Sequence, residues 1–558
     1  MFGKILIANR GEIAIRVART CRELGVATVG VHSDVDAGAL HAQAMDEVVH
    51  LPGVAPNETY LNVDAVIAAG LQAGAEAVHP GYGFLSENAD FAEAVERSGM
   101  TWVGPPPEAT RAVGDKIRAR NLAQHAGVPV VPGVFDAIED PEVIVAFGRE
   151  HGYPLAVKAA GGGGGRGLKV ARSEGEAKAA FDAARREAEA YFGSRDVYVE
   201  RYLEAPKHLE VQILAPEPSK ALWLGVRDCS LQRRHQKLIE ETPPPLFTDR
   251  MGDMGEAAVA LAEACGYVNA GTVEMLVDEG GQFYFLEVNA RLQVEHTVTE
   301  EIYGVDLVAC QLKIASGDPL GFDQKDLVPQ GHAIECRVNA EDPARGFIPT
   351  PGRIQELFRP EGHGIRIDAG YGTGDEIPSA YDSLIAKVIV SGYDREEARK
   401  RMLATLQEMR VEGVQTTIPA HLLLLEDADF IAGIHTTRTV EDGGALEELS
   451  AAVAAAHSDV LLVDGQPVRL WSPAMAPSAT AAVHGSSAAG GLVAPMQGTI
   501  LRVAVEEGQE VEAGATLIVL EAMKMETVIA SPAAGIVKEL RVAVGDTASA
   551  GQVLAVVE

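Results

Sequence analysis

Glu274, Glu287 and Asn289 have the types and spacing of a cation site beside a phosphoryl group. The runs Thr272–Val277 and Phe283–Asn289 read as two strands around the turn Asp278-Glu-Gly-Gly-Gln282. Centring that turn near Gly280 brings Glu274 close to Glu287, and the two-residue strand period puts Asn289 on the face of Glu287. Opposed like charges destabilise a strand pair unless a cation lies between them, and an all-oxygen set next to nucleotide phosphates suits magnesium or manganese. A lone glutamate here could belong to a solvated acidic hairpin, but that reading fits the trio poorly, at the end of the apolar strand Phe283–Leu286. From Glu287 to His296 every second residue is charged or polar, so the strand is expected to run on and to carry Arg291, Gln293 and Glu295 on the same face. An anion-binding arginine and a spare carboxylate would then form an acid/base site for a small anion beside a phosphoryl donor.

Upstream, Gly161–Gly165 with Arg166-Gly167 satisfies G-x-G-x-x-G in form, yet the strand Leu168-Lys169-Val170 follows where a dinucleotide fingerprint or P-loop needs a helix. A glycine run joining two antiparallel strands reads either as a floppy surface hairpin or as a flap whose bare amides close over phosphates. Lys158 at its foot and Lys116 upstream favour the flap, since ammonium groups are common phosphate binders.

A third chemical position is Lys524. The C-terminal sequence aligns with itself at an offset of 37 residues: Pro495, Gly498, Val505, Gly508, Ala513, Gly514, Leu517, Val519 and Glu521 recur as Pro532, Gly535, Val542, Gly545, Ala550, Gly551, Leu554, Val556 and Glu558. Two copies too small to bury their own apolar faces should pack about a pseudo-twofold axis as a flattened all-β domain. Between them, Ala522-Met523-Lys524-Met525-Glu526 projects the lysine at a hairpin tip. A solvated surface lysine is the bland alternative, but two methionines at a tip have little core to fill and suit a recognition surface around a covalent attachment point.

The elements that must position these groups follow from the rest of the 558 residues. Residues 1–115 alternate Ile5–Ala8, a helix Glu12–Leu24 closed by Gly25, and Thr28–Val31, which is the β-α-β rhythm of a doubly wound parallel sheet. Residues 116–330 become antiparallel around the helix Glu176–Ala190, with the flap within about 130–205. Residues 331–445 mix the strands Ala333–Val338 and Leu384–Val390 with the helix Arg395–Met409. A small hairpin around Asp464-Gly465 and the Ala/Ser/Pro/Gly-rich stretch Pro473–Gly491 fill 446–491, and 492–558 hold the repeat. Random-coil scaling gives the 19 residues of Pro473–Gly491 a reach of roughly 24 Å, or about 65 Å fully extended.

Forty-seven Lys and Arg against 80 Asp and Glu give a net charge of −33, which argues against nucleic acid as a partner. Cys21, Cys229, Cys265, Cys310 and Cys336 are odd in number and form no C-x-x-C pair, which points to a reducing, cytoplasmic setting. No apolar run reaches the roughly 18 residues needed to span a bilayer, and no signal-peptide core is present, so a soluble, unexported protein is expected.

EAMKMET within its repeat strongly resembles the biotinyl domain of biotin-dependent carboxylases, of the thumbless kind. Lipoyl domains share the fold but typically carry an acidic residue where Met523 stands. Residues 1–445 resemble the biotin carboxylase branch of the ATP-grasp fold through KILIANRGEIA near the start, HPGYGFLSEN at 79–88, AGGGGGRG at 160–167, RDCSLQRRHQK at 227–237, EVNARLQVEHTVTE at 287–300 and ECRVNAEDP at 335–343. The resemblance implies biotin on Lys524. It implies ATP held by Lys116, Lys158, Gly163, Gly164, Gly165, Glu200, His208, Gln232, Glu274 and Glu287, and Mg2+ or Mn2+ on Glu274, Glu287 and Asn289. Bicarbonate would be seated by Arg291, Gln293 and Val294 and deprotonated by Glu295, and attack on the γ-phosphate would give carboxyphosphate, with Lys237 neutralising charge. Arg337 would stabilise the ureido oxyanion of biotin, and Tyr82 and Asp382 would line its pocket. His235 and Cys229 receive no bond-making role.

The chain as a whole resembles an acyl-CoA carboxylase alpha subunit of the actinobacterial acetyl/propionyl-CoA type. The span is short for the subunit-docking domain found in many relatives, and no carboxyltransferase segment is evident. A separate carboxyltransferase beta subunit, a biotin protein ligase and a heteromultimer with paired biotin carboxylase domains are therefore the implied partners. A stand-alone ATP-grasp ligase with a lipoyl-like tail and an inactive biotin reservoir are the rival readings.

Overall fold

The computed structural model describes residues 1–134, 136–159, 167–234, 236–444, 461–463, 466–468, 491–494, 498–522, 525–548 and 551–557. Near the N-terminus five parallel strands lie in the order Glu47–His50, Ala27–His32, Lys4–Ile7, Ala77–His79, Thr101–Trp102. The central strand is apolar throughout its interior, and Ile5, Leu6 and Ile7 are fully buried, as both faces of a helix-covered sheet require. The helix Gly11–Glu23 ends just before Gly25, whose φ of +71° turns the chain back toward the next strand.

The middle of the molecule is one antiparallel sheet of eight strands. Its order is Phe283–Asn289, Asn269–Val277, Lys207–Glu217, Lys220–Arg233, Gln236–Thr242, His332–Asn339, Leu384–Gly392, Ile365–Ala369. The two stretches separated at residue 330 in the sequence therefore share a sheet, joined where Gln236–Thr242 pairs with His332–Asn339. Leu231, Ile239, Ile334, Cys336 and Val388 bury against one another at that seam. The helix Arg395–Glu408 covers the far end, and its Asp394 caps the first turn.

A smaller antiparallel sheet of Gly133–Val134, Val197–Arg201, Leu155–Ala159 and Leu168–Ala171 carries the helix Glu174–Phe192. Lys158 lies opposite Leu168 at the mouth of the glycine run, whose Gly163, Gly164 and Gly165 lie outside the described residues.

The C-terminal unit is built on the repeat. Gly498–Val503 and Gly535–Leu540 are equivalent strands at the 37-residue offset, as are Glu510–Val511 and Thr547–Ala548. Each four-stranded sheet contains two long strands of one copy and the short strand of the other: Thr547–Ala548 pairs with Gly498–Val503, and Glu510–Val511 with Gly535–Leu540. That exchange is the expected pseudo-twofold, and its core includes Leu517, Leu520, Val537 and Leu554. Leu461–Val463 and Gln466–Val468 pair as the small hairpin expected before the linker.

Candidate active site

The hairpin at the edge of the large sheet brings the first two carboxylates together, by way of a bulge. Val277 pairs with Phe283 and Met275 with Phe285, a register that would set Glu274 against Leu286. One extra residue in the second strand shifts the ladder so that Glu274 faces Glu287 directly and Thr272 faces Asn289. Without the bulge Glu287 would fall on the other face.

Beyond Asn289 the sequence reading needs correction. The strand ends at Asn289, residues 290–295 form an irregular turn, and the helix His296–Tyr303 begins directly after Glu295. The backbone carbonyl of Gln293 accepts both the His296 amide, at 3.3 Å, and the His296 ring Nδ1, at 2.7 Å, so the chain curls into a helix start instead of extending. Arg291, Gln293 and Glu295 still converge with the hairpin, through side-chain contacts and not a shared strand face. Arg291 donates to Asn289 Oδ1 at 3.0 Å and to Gln293 Oε1 at 2.7 Å. Gln293 in turn donates to Glu274 Oε1 at 3.1 Å. The Val294 carbonyl accepts from the buried Lys387 at 2.9 Å.

Lys237 is the hub. Its ammonium reaches Glu210 at 2.6 Å, Glu274 at 3.1 Å and Glu295 at 2.6 Å. Arg337 takes the other oxygen of Glu295 at 2.9 Å and braces itself on Glu240. Glu295 is fully buried, and burial alone would keep it protonated. Lys237, Arg337 and Arg227 outweigh that penalty and hold the carboxyl well below the usual carboxylate range. Glu274 is likewise pulled down, against burial, by Lys237 and by His208, whose Nε2 lies 3.1 Å away. Glu287 moves the opposite way, raised by loss of hydration and by the charge of Glu274, with Lys116 at 3.7 Å giving partial relief. A hard oxygen pair left in mutual repulsion, with the Asn289 amide two residues on, fits a magnesium- or manganese-sized ion.

The other expected residues take the following partners. Lys158 is ion-paired to the buried Glu200, which burial would neutralise and which Lys158 and Arg120 keep ionised. Gln232 is buried opposite Lys237 in the ladder. The Tyr82 phenol donates to Glu12, feels the charges of Asp382 and Arg337, and lies with its ring centre 5.8 Å from the Lys387 ammonium. Asp382 is exposed and accepts the Leu384 amide at 2.7 Å. Cys229 sits 3.8 Å from Glu295, its thiol pushed far up by burial and by the charge of Glu210, so it stays a protonated donor. His235 and Lys524 lie outside the described residues. The strands Thr516–Ala522 and Met525–Ala530 pair up to Ala522–Met525, either side of the Met523-Lys524 dipeptide.

Four acidic partners were not foreseen: Glu210, Glu240, Glu87 and Glu12. Glu87 accepts from Arg291 at 3.1 Å and from the Ala290 amide at 3.1 Å. Its signal was present in HPGYGFLSEN, and that of Glu12 in KILIANRGEIA. Glu210 and Glu240 stand on alternating strands with no local cue to their partners. All five cysteines are free thiols. Among the described residues no helix is long and apolar enough to cross a membrane.

Comparison with known proteins matches four stretches of the chain to family models. Residues 1–110 match the biotin carboxylase N-terminal domain, 115–322 the ATP-binding domain of the carbamoyl-phosphate synthase L chain, 335–442 the biotin carboxylase C-terminal domain, and 491–557 the family described as biotin-requiring enzyme. A biotin-dependent acyl-coenzyme A carboxylase alpha3 subunit of Mycobacterium leprae is 42% identical over 99% of this chain and 98% of its own. A Nostoc biotin carboxylase is 49% identical over 79% of this chain and 99% of its own. The biotin carboxylase domain dimer of Hydrogenobacter thermophilus 2-oxoglutarate carboxylase, crystallised with MgADP, ADP and bicarbonate, superposes with a TM-score of 0.76 at 44% identity, covering 80% of this chain and 99% of that one.

Proposed function

The chain belongs to the biotin-dependent acyl-CoA carboxylase alpha-subunit family, with biotin carboxylase and biotinyl domains in one polypeptide that carry out ATP-dependent carboxylation of biotin, and from that premise we propose how its residues divide the work and what it serves. Lys116, Lys158, Glu200, His208, Gln232 and the glycine run Gly163–Gly165 hold ATP. Glu274, Glu287 and Asn289 hold the divalent cation, which when bound neutralises phosphate charge. Arg291, Gln293 and the Val294 backbone seat bicarbonate, and Glu295 accepts its proton.

An anion seated beside Lys237 competes with Glu295 for the ammonium, so the carboxylate becomes more basic as that charge is shared. Lys237 then faces the phosphoryl oxygens while bicarbonate attacks the γ-phosphate to give carboxyphosphate and ADP. Carboxyphosphate then breaks down to carbon dioxide and phosphate. Biotin, which Lys524 would carry, would supply the ureido nitrogen that takes up the carbon dioxide, with the phosphate accepting the ureido proton. Tyr82 and Asp382 line its pocket, and Arg337 holds its ureido oxygen.

Likeness to the alpha3 subunit supports an acyl-CoA product, acetyl-CoA or propionyl-CoA being the acceptors we favour, with a separate carboxyltransferase beta subunit, a biotin protein ligase acting on Lys524, and paired biotin carboxylase domains in a cytoplasmic heteromultimer. The observation that carries the reading is Lys237, which spans the cation-side Glu274 and the proposed base Glu295 in one buried contact. The test is bicarbonate-dependent ADP release with free biotin. Folded protein that releases none would overturn it.

A further inference from the structure

Glu240 and Glu335 have no part in the steps above, yet they form an unusual buried pair. They lie directly opposite on Gln236–Thr242 and His332–Asn339, and both are fully buried. Each uses one oxygen. Glu240 Oε1 accepts from Arg337 Nε at 2.6 Å, and Glu335 Oε2 accepts the Thr297 hydroxyl. The other oxygens, Glu240 Oε2 and Glu335 Oε1, are sealed from solvent with no hydrogen-bond partner among the described residues.

Two ionised carboxylates in this arrangement would repel across the ladder and leave two buried acceptors unsatisfied, each a destabilising condition. The neighbouring cations do not remove it. Lys387 is committed to Glu12 at 3.1 Å and to the Val294 carbonyl, Lys237 to three other glutamates, and Arg337 is shared with Glu295. Cys229 and Cys336 beside the pair are held protonated by burial and contribute no charge. One proton placed between the two orphan oxygens meets both demands.

We propose that Glu240 and Glu335 share a single proton at neutral pH and that the bonded pair closes a ring, Glu295–Arg337–Glu240–Glu335–Thr297, which fixes the Arg337 guanidinium against Glu295. The tendency of the carboxyls agrees. Burial pushes Glu240 up to about 7, against Arg337 and with help from Glu295, and Glu335 is raised further by burial despite Lys387. Both are positioning residues; neither touches substrate. Only the kinetic consequence rests on the roles given above to Glu295 and Arg337.

The test is infrared difference spectroscopy on the full biotinylated chain near neutral pH, in H2O and D2O, comparing wild type with Glu240→Gln and Glu335→Gln. A glutamine supplies the donor that the proton supplied, so the surviving carboxyl ionises. The expected result is a protonated-carboxyl C=O band, shifted by deuteration, that is lost in both variants. No band in the wild type, or a band that survives in either variant, overturns the shared proton. Glu335→Gln should retain turnover with free biotin, whereas Glu335→Ala should lose roughly 10- to 100-fold in kcat with unchanged KM for ATP, as misplacement of a reacting group does. Wild-type turnover in Glu335→Ala overturns the positioning role, and should that variant not fold, the band decides alone. Glu295→Gln, which tests the base, leaves the band in place, so failure of that role is not confused with failure of this one.

Discussion

Glu274 and Glu287 stand face to face across an antiparallel ladder because one extra residue, at Leu286, shifts the register between them and Met275. The folded state holds the Glu287 carboxyl above its ordinary value, so this group costs stability as pH rises past about 4.5 and ionises in the unfolded chain first. A cation bound between the carboxylates would offset that cost. Glu287→Gln should therefore raise stability by about 1 kcal/mol without divalent cation at neutral pH, the scale of an opposed like-charge pair. The stabilisation that magnesium or manganese gives the wild type should vanish in the variant. Calorimetric unfolding with and without the cation, against a potassium control, checks both statements.

Glu295 is held ionised by Lys237 and Arg337 across the whole neutral range. In the free enzyme its own protonation therefore lies below the neutral range. Glu295→Gln should lower kcat for biotin-dependent ATP cleavage by about 10²- to 10⁴-fold, the usual contribution of a general base, with little change in affinity for ATP. Steady-state kinetics from pH 6 to 9 would show whether the variant keeps the shape of the wild-type profile at a reduced height. An unaltered rate would remove Glu295 from the role.

On the opposite side of the same strand from Glu240, Glu241 ties three segments together. It accepts from His332 at 2.7 Å and from Arg395 at 2.7 and 2.9 Å, and Arg395 also holds the Phe430 carbonyl. Burial opposes its ionisation, but His332 and Arg395 bring it from 4.5 to about 2. A depressed carboxyl stabilises the fold above its unfolded value and loses that contribution as pH falls through the folded one. The window is therefore about pH 4.5 down to about 2, with about 3 kcal/mol at stake. Urea midpoints measured at pH 7, 4 and 3 should fall less steeply in Glu241→Gln, which starts lower at pH 7.

Local pattern carried much of this architecture. The parallel sheet, the flap strands and the repeat-built barrel follow from period, punctuation and an offset visible in one sequence. The Glu274–Glu287 pairing was legible because a short turn fixes both strands, although the bulge that completes it was not. The Arg291–Glu295 strand failed because alternation of polar residues also describes an irregular turn that curls into a helix, here anchored on the Gln293 carbonyl. Glu210, Glu240 and Glu335 were silent for a different reason. Strand period tells which face a residue takes, but Glu240 meets Glu335 across a connection of some 90 residues, and nothing local encodes which strand will lie alongside. Lys237 gathers its three carboxylates from three such separate segments.

Lys524 and the active centre occupy different parts of the chain, so their functions should separate. Thr516–Ala522 and Met525–Ala530 are paired as far as Ala522–Met525, which leaves only Met523 and Lys524 to join them. Lys524→Arg removes the attachable amine while keeping the charge. With a carboxyltransferase partner supplied, it should abolish acyl-CoA carboxylation, yet leave bicarbonate-dependent ATP cleavage with free biotin at the wild-type rate. Loss of both activities would contradict the division. Removing most of Pro473–Gly491 makes the complementary cut. Random-coil scaling of the stretch's composition gives a reach of roughly 24 Å, and a tether that can no longer span two sites loses its effective concentration altogether. The shortened chain should keep the free-biotin reaction and lose overall transfer, while full overall activity would show that delivery does not depend on the length of this segment.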